Sequence, residues 1–116
     1  MKKHTGGCHC GKVRFEVTME TGTAIACNCS ICSKKAGLLA FAPADQFKLL
    51  SGAEALRDYQ VGKKRIHHLF CGGCGVASFG RGTDPKGNEV CAVNVRCLDG
   101  IDLTAVNVQH YDGKSL

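Results

Sequence analysis

The chain has 116 residues and a formal net charge of +5, with nine cysteines, fifteen glycines, seven aromatic residues and no tryptophan. This length is typical of one domain, and we expect one spanning residues 1–116, whose small apolar side chains need reinforcement from outside the core. Its lysines and arginines are scattered and have no aromatic residues interleaved with them, which argues against a nucleic-acid partner.

Alternation of apolar and polar residues dominates the chain and predicts a mainly β structure. In segment 13–19 the four odd-numbered residues are apolar and would share the buried face of a strand, which a turn at 20–23 would end. Segment 43–46 predicts a turn or a single helical turn. The other predicted strands are 38–41, 47–50, 90–97 and 103–110. Segments 57–61 and 65–70 are predicted to be the two arms of a hairpin, with a turn at 62–64. Helix formers are limited to the windows 30–39 and 53–57, which are short or interrupted by glycine.

The nine cysteines could indicate a disulfide framework, but their number is odd and several lie two or three residues apart. This spacing suits metal ligation better than bridging. Metal ligation also fits the cytoplasm, where thiols stay reduced. We expect that location because residues 1–7 contain no apolar leader, and no segment is long enough to predict a membrane partner.

Two cysteine pairs far apart in the chain predict a structural zinc site. Cys8 and Cys10 form a C-x-C pair, and Cys71 and Cys74 form a C-x-x-C pair; together they are called the four-cysteine group. Each pair can chelate one ion, because neighbouring glycines let backbone amides turn toward the sulfurs. A shared zinc ion would tie the first strand to the hairpin. Iron in the same site and four unligated buried thiols are the alternatives.

Segment 27–32 reads CNCSIC and offers three thiolates, Cys27, Cys29 and Cys32, which are called the three-cysteine group. Three protein ligands leave a zinc ion one open position, as in catalytic or substrate-binding sites. A thiol bound at that position would be deprotonated at neutral pH and become reactive. These three cysteines are therefore the candidate catalytic residues.

A second structural zinc is the alternative for the three-cysteine group, with a fourth ligand from elsewhere in the chain. The possible ligands are Cys91, Cys97, His67, His68 and His9. Cys91 and Cys97 share one face of an apolar strand pattern, which favours a place in the core. Neither His68 nor His9 is predicted to act as an acid or a base.

Five segments resemble the glutathione-dependent formaldehyde-activating enzyme family, which is also represented in centromere protein V. They are 6–15 (GGCHCGKVRF), 27–32 (CNCSIC), 68–75 (HLFCGGCG), 93–100 (VNVRCLDG) and 110–113 (HYDG). The resemblance spans nearly the whole chain and keeps three cysteine clusters in the family's order. It implies a β-tent fold of small stacked antiparallel sheets stabilised by two zinc ions, a structural one on the four-cysteine group and a second one on the three-cysteine group.

The resemblance also implies an activity, the addition of glutathione to formaldehyde to give S-hydroxymethylglutathione. Such an enzyme is formally a carbon-sulfur lyase working in reverse, and its partner is a small thiol such as glutathione. The two carboxylates of glutathione need cations nearby. The cations available by composition are Lys34, Lys35, Arg14 and Arg96. A non-catalytic zinc-binding structural or interaction module and a thiol redox sensor are the competing functions.

Overall fold

The computed structural model describes residues 2–60 and 66–115, which form ten strands, one short α-helix and five single 3-10 turns. The strands are β1 (Lys2–Gly7), β2 (Arg14–Met19), β3 (Thr23–Cys27), β4 (Leu39–Pro43), β5 (Phe47–Ser51), β6 (Leu56–Tyr59), β7 (His68–Cys71), β8 (Phe79–Thr83), β9 (Glu89–Asn94) and β10 (Asn107–Tyr111). The α-helix, α1, is Cys32–Lys35. The predicted mainly β structure is confirmed, and no helix within the described ranges has the length and apolar character needed to cross a bilayer.

The strands form three small sheets. One contains β1, β2 and β5 in the order β1-β2-β5, and a second contains five strands in the order β10-β3-β4-β9-β8. The third is the hairpin of β6 and β7. Its two arms pair as the sequence predicted, whereas the predicted turn at 62–64 lies outside the described residues. All strand pairs are antiparallel except β10 with β3, which run parallel and place Tyr111 opposite Cys27.

Three phenylalanine rings join the two larger sheets. Phe15 on β2, Phe47 on β5 and Phe79 on β8 pack with ring centroids 4.5 to 5.7 Å apart. The alternation predicted for 13–19 is confirmed, because all four odd-numbered residues of that segment are at most 3% exposed. Small residues such as Ala24 fill the remaining space, so the core holds few large side chains.

Two strands are shorter than the sequence pattern predicted. At one end of each strand, a polar side chain caps a 3-10 turn that replaces the missing strand residues. Strand β9 ends at Asn94, three residues before the predicted end, since the Asn94 side chain accepts a hydrogen bond from the backbone N–H of Arg96. Strand β10 begins at Asn107 rather than residue 103, since the Asp102 carboxylate accepts from the backbone N–H of Thr104.

The predicted turn at 20–23 and the two helical windows also differ from the structure. Strand β3 already begins at Thr23, at the last residue of the predicted turn. Of the window 30–39, only Cys32–Lys35 is helical, and Ala36 ends it in the left-handed conformation with φ of 57°. The window 53–57 gives only the 3-10 turn Ala53–Ala55. The predicted turn at 43–46 is confirmed as the 3-10 turn Ala44–Gln46.

Candidate metal centre and adjoining cleft

The four-cysteine group is assembled at the ends of β1 and β7. All four sulfurs lie within 4.8 Å of one another. The Sγ atom of Cys10 is 3.6 Å from that of Cys8 and 3.7 Å from that of Cys71, across 61 positions of sequence. A tetrahedral zinc with Zn–S bonds of about 2.3 Å separates its sulfurs by about 3.8 Å. The group therefore fits a tetrahedral metal ion that prefers thiolates, such as zinc.

Two similar backbone turns hold these sulfurs. In the first, the N–H of Gly11 donates to the carbonyl of Cys8, and the N–H of Val13 donates to the Cys8 sulfur at 3.3 Å. In the second, the N–H of Gly75 donates to the carbonyl of Cys71, and the N–H of Gly73 donates to the Cys71 sulfur at 3.3 Å. Gly11 and Gly75 close the turns at φ of 84° and 81°, a conformation that favours glycine. The glycines beside the cysteines thus turn amides toward sulfur, as the sequence predicted.

The thiols of the four-cysteine group differ in their tendency to ionise. The backbone N–H groups of Val76 and Cys10 lower the pKa of Cys74 to about 6. The backbone N–H of Lys12 acts in the same direction on Cys10, but desolvation and the neighbouring thiols outweigh it and raise the pKa of Cys10 to about 11. When several of these thiols ionise, their negative charges repel one another, and a bound cation offsets that repulsion. The close packing of the four sulfurs therefore favours metal binding over four free thiols.

The three-cysteine group lies where β3 meets α1. Cys27 is the last residue of β3 and Cys32 the first of α1, and the three sulfurs lie within 4.8 Å of one another. The backbone N–H of Cys29 donates to the Cys27 sulfur at 3.5 Å, and the N–H of Ser33 donates to the carbonyl of Cys29 at 2.9 Å. Within residues 2–60 and 66–115, no further His, Cys, Asp or Glu side chain completes this group.

The five residues considered as a fourth ligand all lie outside the three-cysteine group. His67 is bound to Asp58, with 2.6 Å between Nδ1 and Oδ2. Cys91 is completely buried in β9, as expected of a core residue, and Cys97 is partly buried. His9 is exposed, and His68 lies on β7.

Close packing also gives the thiols of the three-cysteine group different pKa values. Burial and the neighbouring thiol of Cys29 raise the pKa of Cys32 to about 12. Burial opposes ionisation of Cys29 too, but hydrogen bonds from the backbone N–H and the thiol of Cys32 lower its pKa. Without a cation, ionisation of one thiol therefore hinders the next, and a bound cation would permit all three to ionise.

A cleft of about 1170 Å³ adjoins the three-cysteine group. Its floor is the outer face of the five-stranded sheet, and one wall is the β6–β7 hairpin. Two backbone hydrogen bonds between His67 and Arg81, of 2.7 and 3.0 Å, attach the hairpin segment to β8. Cys32 and Lys35 of α1 line the cleft, whereas no member of the four-cysteine group does.

Comparison with known proteins agrees with this architecture. A family model described as glutathione-dependent formaldehyde-activating enzyme matches residues 3–112. The chain belongs to this family. A crystal structure of a Rhodobacter sphaeroides protein is similar, with a TM-score of 0.78 and 33% identity, covering 90% of this chain and 99% of that one. The resemblance drawn from the five sequence segments is thereby confirmed at the level of family and fold.

In this family member, few of the cations considered for glutathione face the cleft. Lys35 lines it, but Lys34, Arg14 and Arg96 are not among the described lining residues. Arg14 instead forms an ion pair with Asp99, which also accepts a hydrogen bond from the Thr5 hydroxyl at 2.8 Å. Arg81, which the sequence did not single out, also lines the cleft, so Lys35 and Arg81 are the Lys and Arg side chains among its described lining residues.

The segment after β10 covers the three-cysteine group. The Asn28 amide donates to Asp112 at 2.9 Å, and its oxygen accepts from the backbone N–H of Lys114 at 2.9 Å. These bonds place Gly113 so close to the sulfur that an added Cβ would lie 2.7 Å from the Cys27 Sγ. Periodicity does not indicate this contact, and the only sequence signal was the HYDG segment of the family resemblance.

We expect Gly113→Ala to weaken metal binding by the three-cysteine group without unfolding the chain. The new methyl group must displace the Cys27 sulfur or the covering segment, and disturbing such supporting contacts typically costs about 10- to 100-fold in metal affinity. Competition with a chromophoric chelator measures the affinity. Gly22→Ala is the matched control, because a Cβ there would meet nothing within 4 Å. Equal affinities for the two variants would show that this close approach is unimportant.

Proposed function

We propose that this chain is a zinc-dependent enzyme that adds a small thiol reversibly to an aldehyde carbonyl at the three-cysteine group. In the reverse direction the reaction is that of a carbon-sulfur lyase. The family's name supplies the reference pair, glutathione and formaldehyde, whose adduct is S-hydroxymethylglutathione. The observation that carries the proposal is that Cys32 lines a large cleft, whereas the four-cysteine group stands apart from it.

The proposed roles of the two groups follow from their numbers of thiols. Four thiols complete a tetrahedral coordination shell, whereas three leave one position for a substrate. A zinc ion held by Cys27, Cys29 and Cys32 would supply Lewis-acid chemistry at that position and favour the ionised form of a substrate thiol. In this proposal the four-cysteine group serves the fold and the three-cysteine group serves the reaction.

The reaction moves one proton, and we propose that His68 and Lys35, which both line the cleft, assist this step, although the sequence did not predict His68 to act as an acid or a base. A bond forms between the thiol sulfur and the carbonyl carbon, the carbonyl double bond becomes single, and the thiol proton ends on the oxygen. Burial, with a smaller contribution from the charge of Lys35, lowers the pKa of His68 and favours a neutral imidazole, which can accept a proton and return it. The ammonium group of Lys35 favours negative charge developing on the carbonyl oxygen.

Exchange NMR on mixtures of glutathione and formaldehyde tests this proposal, because it measures the rate at which the adduct forms and breaks down. The spontaneous rate in buffer is subtracted. We expect the metal-loaded parent to accelerate exchange and Cys32→Ser to lose about 100-fold or more, since even indirect metal contacts are worth 10- to 100-fold. Cys97→Ala is the matched control, a partly buried cysteine outside both groups.

The alternative functions predict a different result. An interaction module or a redox sensor would leave the exchange rate of the metal-loaded parent at its spontaneous value. That outcome would exclude the proposed addition for this thiol and aldehyde. A Cys97→Ala variant as slow as Cys32→Ser would show that the loss does not report on the three-cysteine group.

A further inference from the structure

Every aromatic residue outside the core lines the cleft beside the three-cysteine group. The chain has only five phenylalanines and two tyrosines, and three of the phenylalanines form the core cluster of stacked rings. The remaining four aromatic residues, all of which line the cleft, are Phe41, Tyr59, Phe70 and Tyr111. The chain contains few aromatic residues, and all of those outside the core cluster therefore lie around the same cleft.

Strand β4 buries its small side chains and exposes its large apolar one. Its two alanines face the core, Ala40 at 6% and Ala42 at 2% exposure, while Phe41 between them points outward and is 53% exposed. Leu39 is on the same outer face as Phe41 and also lines the cleft. A strand selected for stability alone would bury the larger residue and expose the smaller ones. The outer face of β4 is thus suited to an apolar ligand.

The dimensions of the cleft also exceed what formaldehyde needs. Leu39 and Phe41 of β4 lie on its floor about 7 Å apart, and the cleft volume of about 1170 Å³ reaches the upper range of small-molecule sites. Cys32, Lys35 and His68 supply a polar and reactive part of the lining. The four rings supply an apolar part. The cleft thus combines reactive side chains with space for a larger apolar body.

We propose that the aldehyde handled by this chain carries an aromatic ring, which packs on Phe41 and the neighbouring rings of the cleft with its carbonyl toward Cys32. Aromatic rings gain from offset-stacked and edge-to-face contacts with other rings in addition to simple burial. The chemistry is the balanced thiol addition described above, and to that extent the inference rests on the proposed function. The ring-binding site itself depends only on the cleft.

Binding of 4-isopropylbenzyl alcohol, an unreactive analogue of the corresponding aldehyde, tests the ring site without any turnover. NMR titration of the metal-loaded protein measures its affinity, and methanol serves as the control for size. We expect saturable binding of the aromatic alcohol and none of methanol. Phe41→Ser should weaken that binding about tenfold or more, because a lost apolar contact is commonly worth this much. Leu50→Ser is the matched control, since Leu50 is 49% exposed on β5 and does not line the cleft.

Kinetics separate the failure of this inference from failure of the proposed function. With glutathione as the thiol, the ratio of kcat/KM for 4-isopropylbenzaldehyde to that for formaldehyde should fall about tenfold in Phe41→Ser and stay at the parent value in Leu50→Ser. If the ring binds but no aldehyde reacts, the proposed function is wrong and the ring site stands. If formaldehyde reacts but the aromatic alcohol does not bind, or Phe41→Ser and Leu50→Ser bind it equally, the ring site is wrong.

A second copy of the chain could also cover an apolar cleft, and sedimentation velocity detects this case. A dimeric parent with a monomeric Phe41→Ser variant would mean that the face is an interface between copies, which would overturn the inference. The same oligomeric state in both proteins leaves the cleft free for the ring and supports it.

Discussion

Replacing Cys74 with serine is expected to abolish folding at ordinary temperature. A closed structural zinc site contributes free energy on the order of 10 kcal/mol, which is comparable to the whole stability of a domain of this size, about 5 to 15 kcal/mol. The zinc that we propose here would link two segments 61 residues apart, around a core whose aromatic side chains are three phenylalanines and whose other members are mostly small. Without the fourth thiolate, the metal link between these two segments is lost.

Circular dichroism and one-dimensional NMR of the purified variants measure this loss of folding. Cys74 is a better choice than Cys71, because Cys71 is completely buried and its replacement would disturb packing as well as ligation. Cys32→Ser is the control from the other group and should remain folded. A folded Cys74→Ser protein with normal thermal stability would refute the structural role of the four-cysteine group.

Metal analysis under anaerobic conditions is expected to give two zinc ions in the parent chain and one in Cys32→Ser. A limiting amount of chelator should remove the ion of the three-cysteine group first, because three thiolates hold an ion less tightly than a closed set of four. Thiol addition should disappear at this stage, while circular dichroism stays unchanged. Equal unfolding of Cys32→Ser and Cys74→Ser would contradict the division into a structural and a reactive site.

The sequence missed three strands, β1, β3 and β8, none of which shows a clear alternation of apolar and polar residues. Strand β2 was evident because its apolar residues alternate, whereas β1 is mostly polar and exposed and forms through its pairing with β2. Strand β8 contains two glycines in five residues, which weakens any strand pattern, yet it pairs with β9 along its whole length. In both cases the partner strand determines the structure, and a local pattern carries no information about the partner.

The site shows the same contrast between local and distant information. The grouping of all seven cysteines followed from spacing, because a C-x-C or C-x-x-C pair restricts where its sulfurs can point. The cleft could not be predicted, since its lining comes from strands and a hairpin that meet only in the folded chain. Phe41 belongs to a segment that the sequence marked as an apolar strand, and only the structure shows that its ring faces outward.

The parallel pairing of β10 with β3 also means that the segment covering the three-cysteine group is synthesised after every cysteine of both groups. Every member of the four-cysteine group has been translated once residue 74 is added, whereas Gly113, which approaches the Cys27 sulfur, follows about 40 residues later. At about 5 to 20 residues per second, this interval lasts about 2 to 8 s. The three-cysteine group is therefore the first group to be fully synthesised and the last to be covered, and its thiols stay open to exchange during this interval.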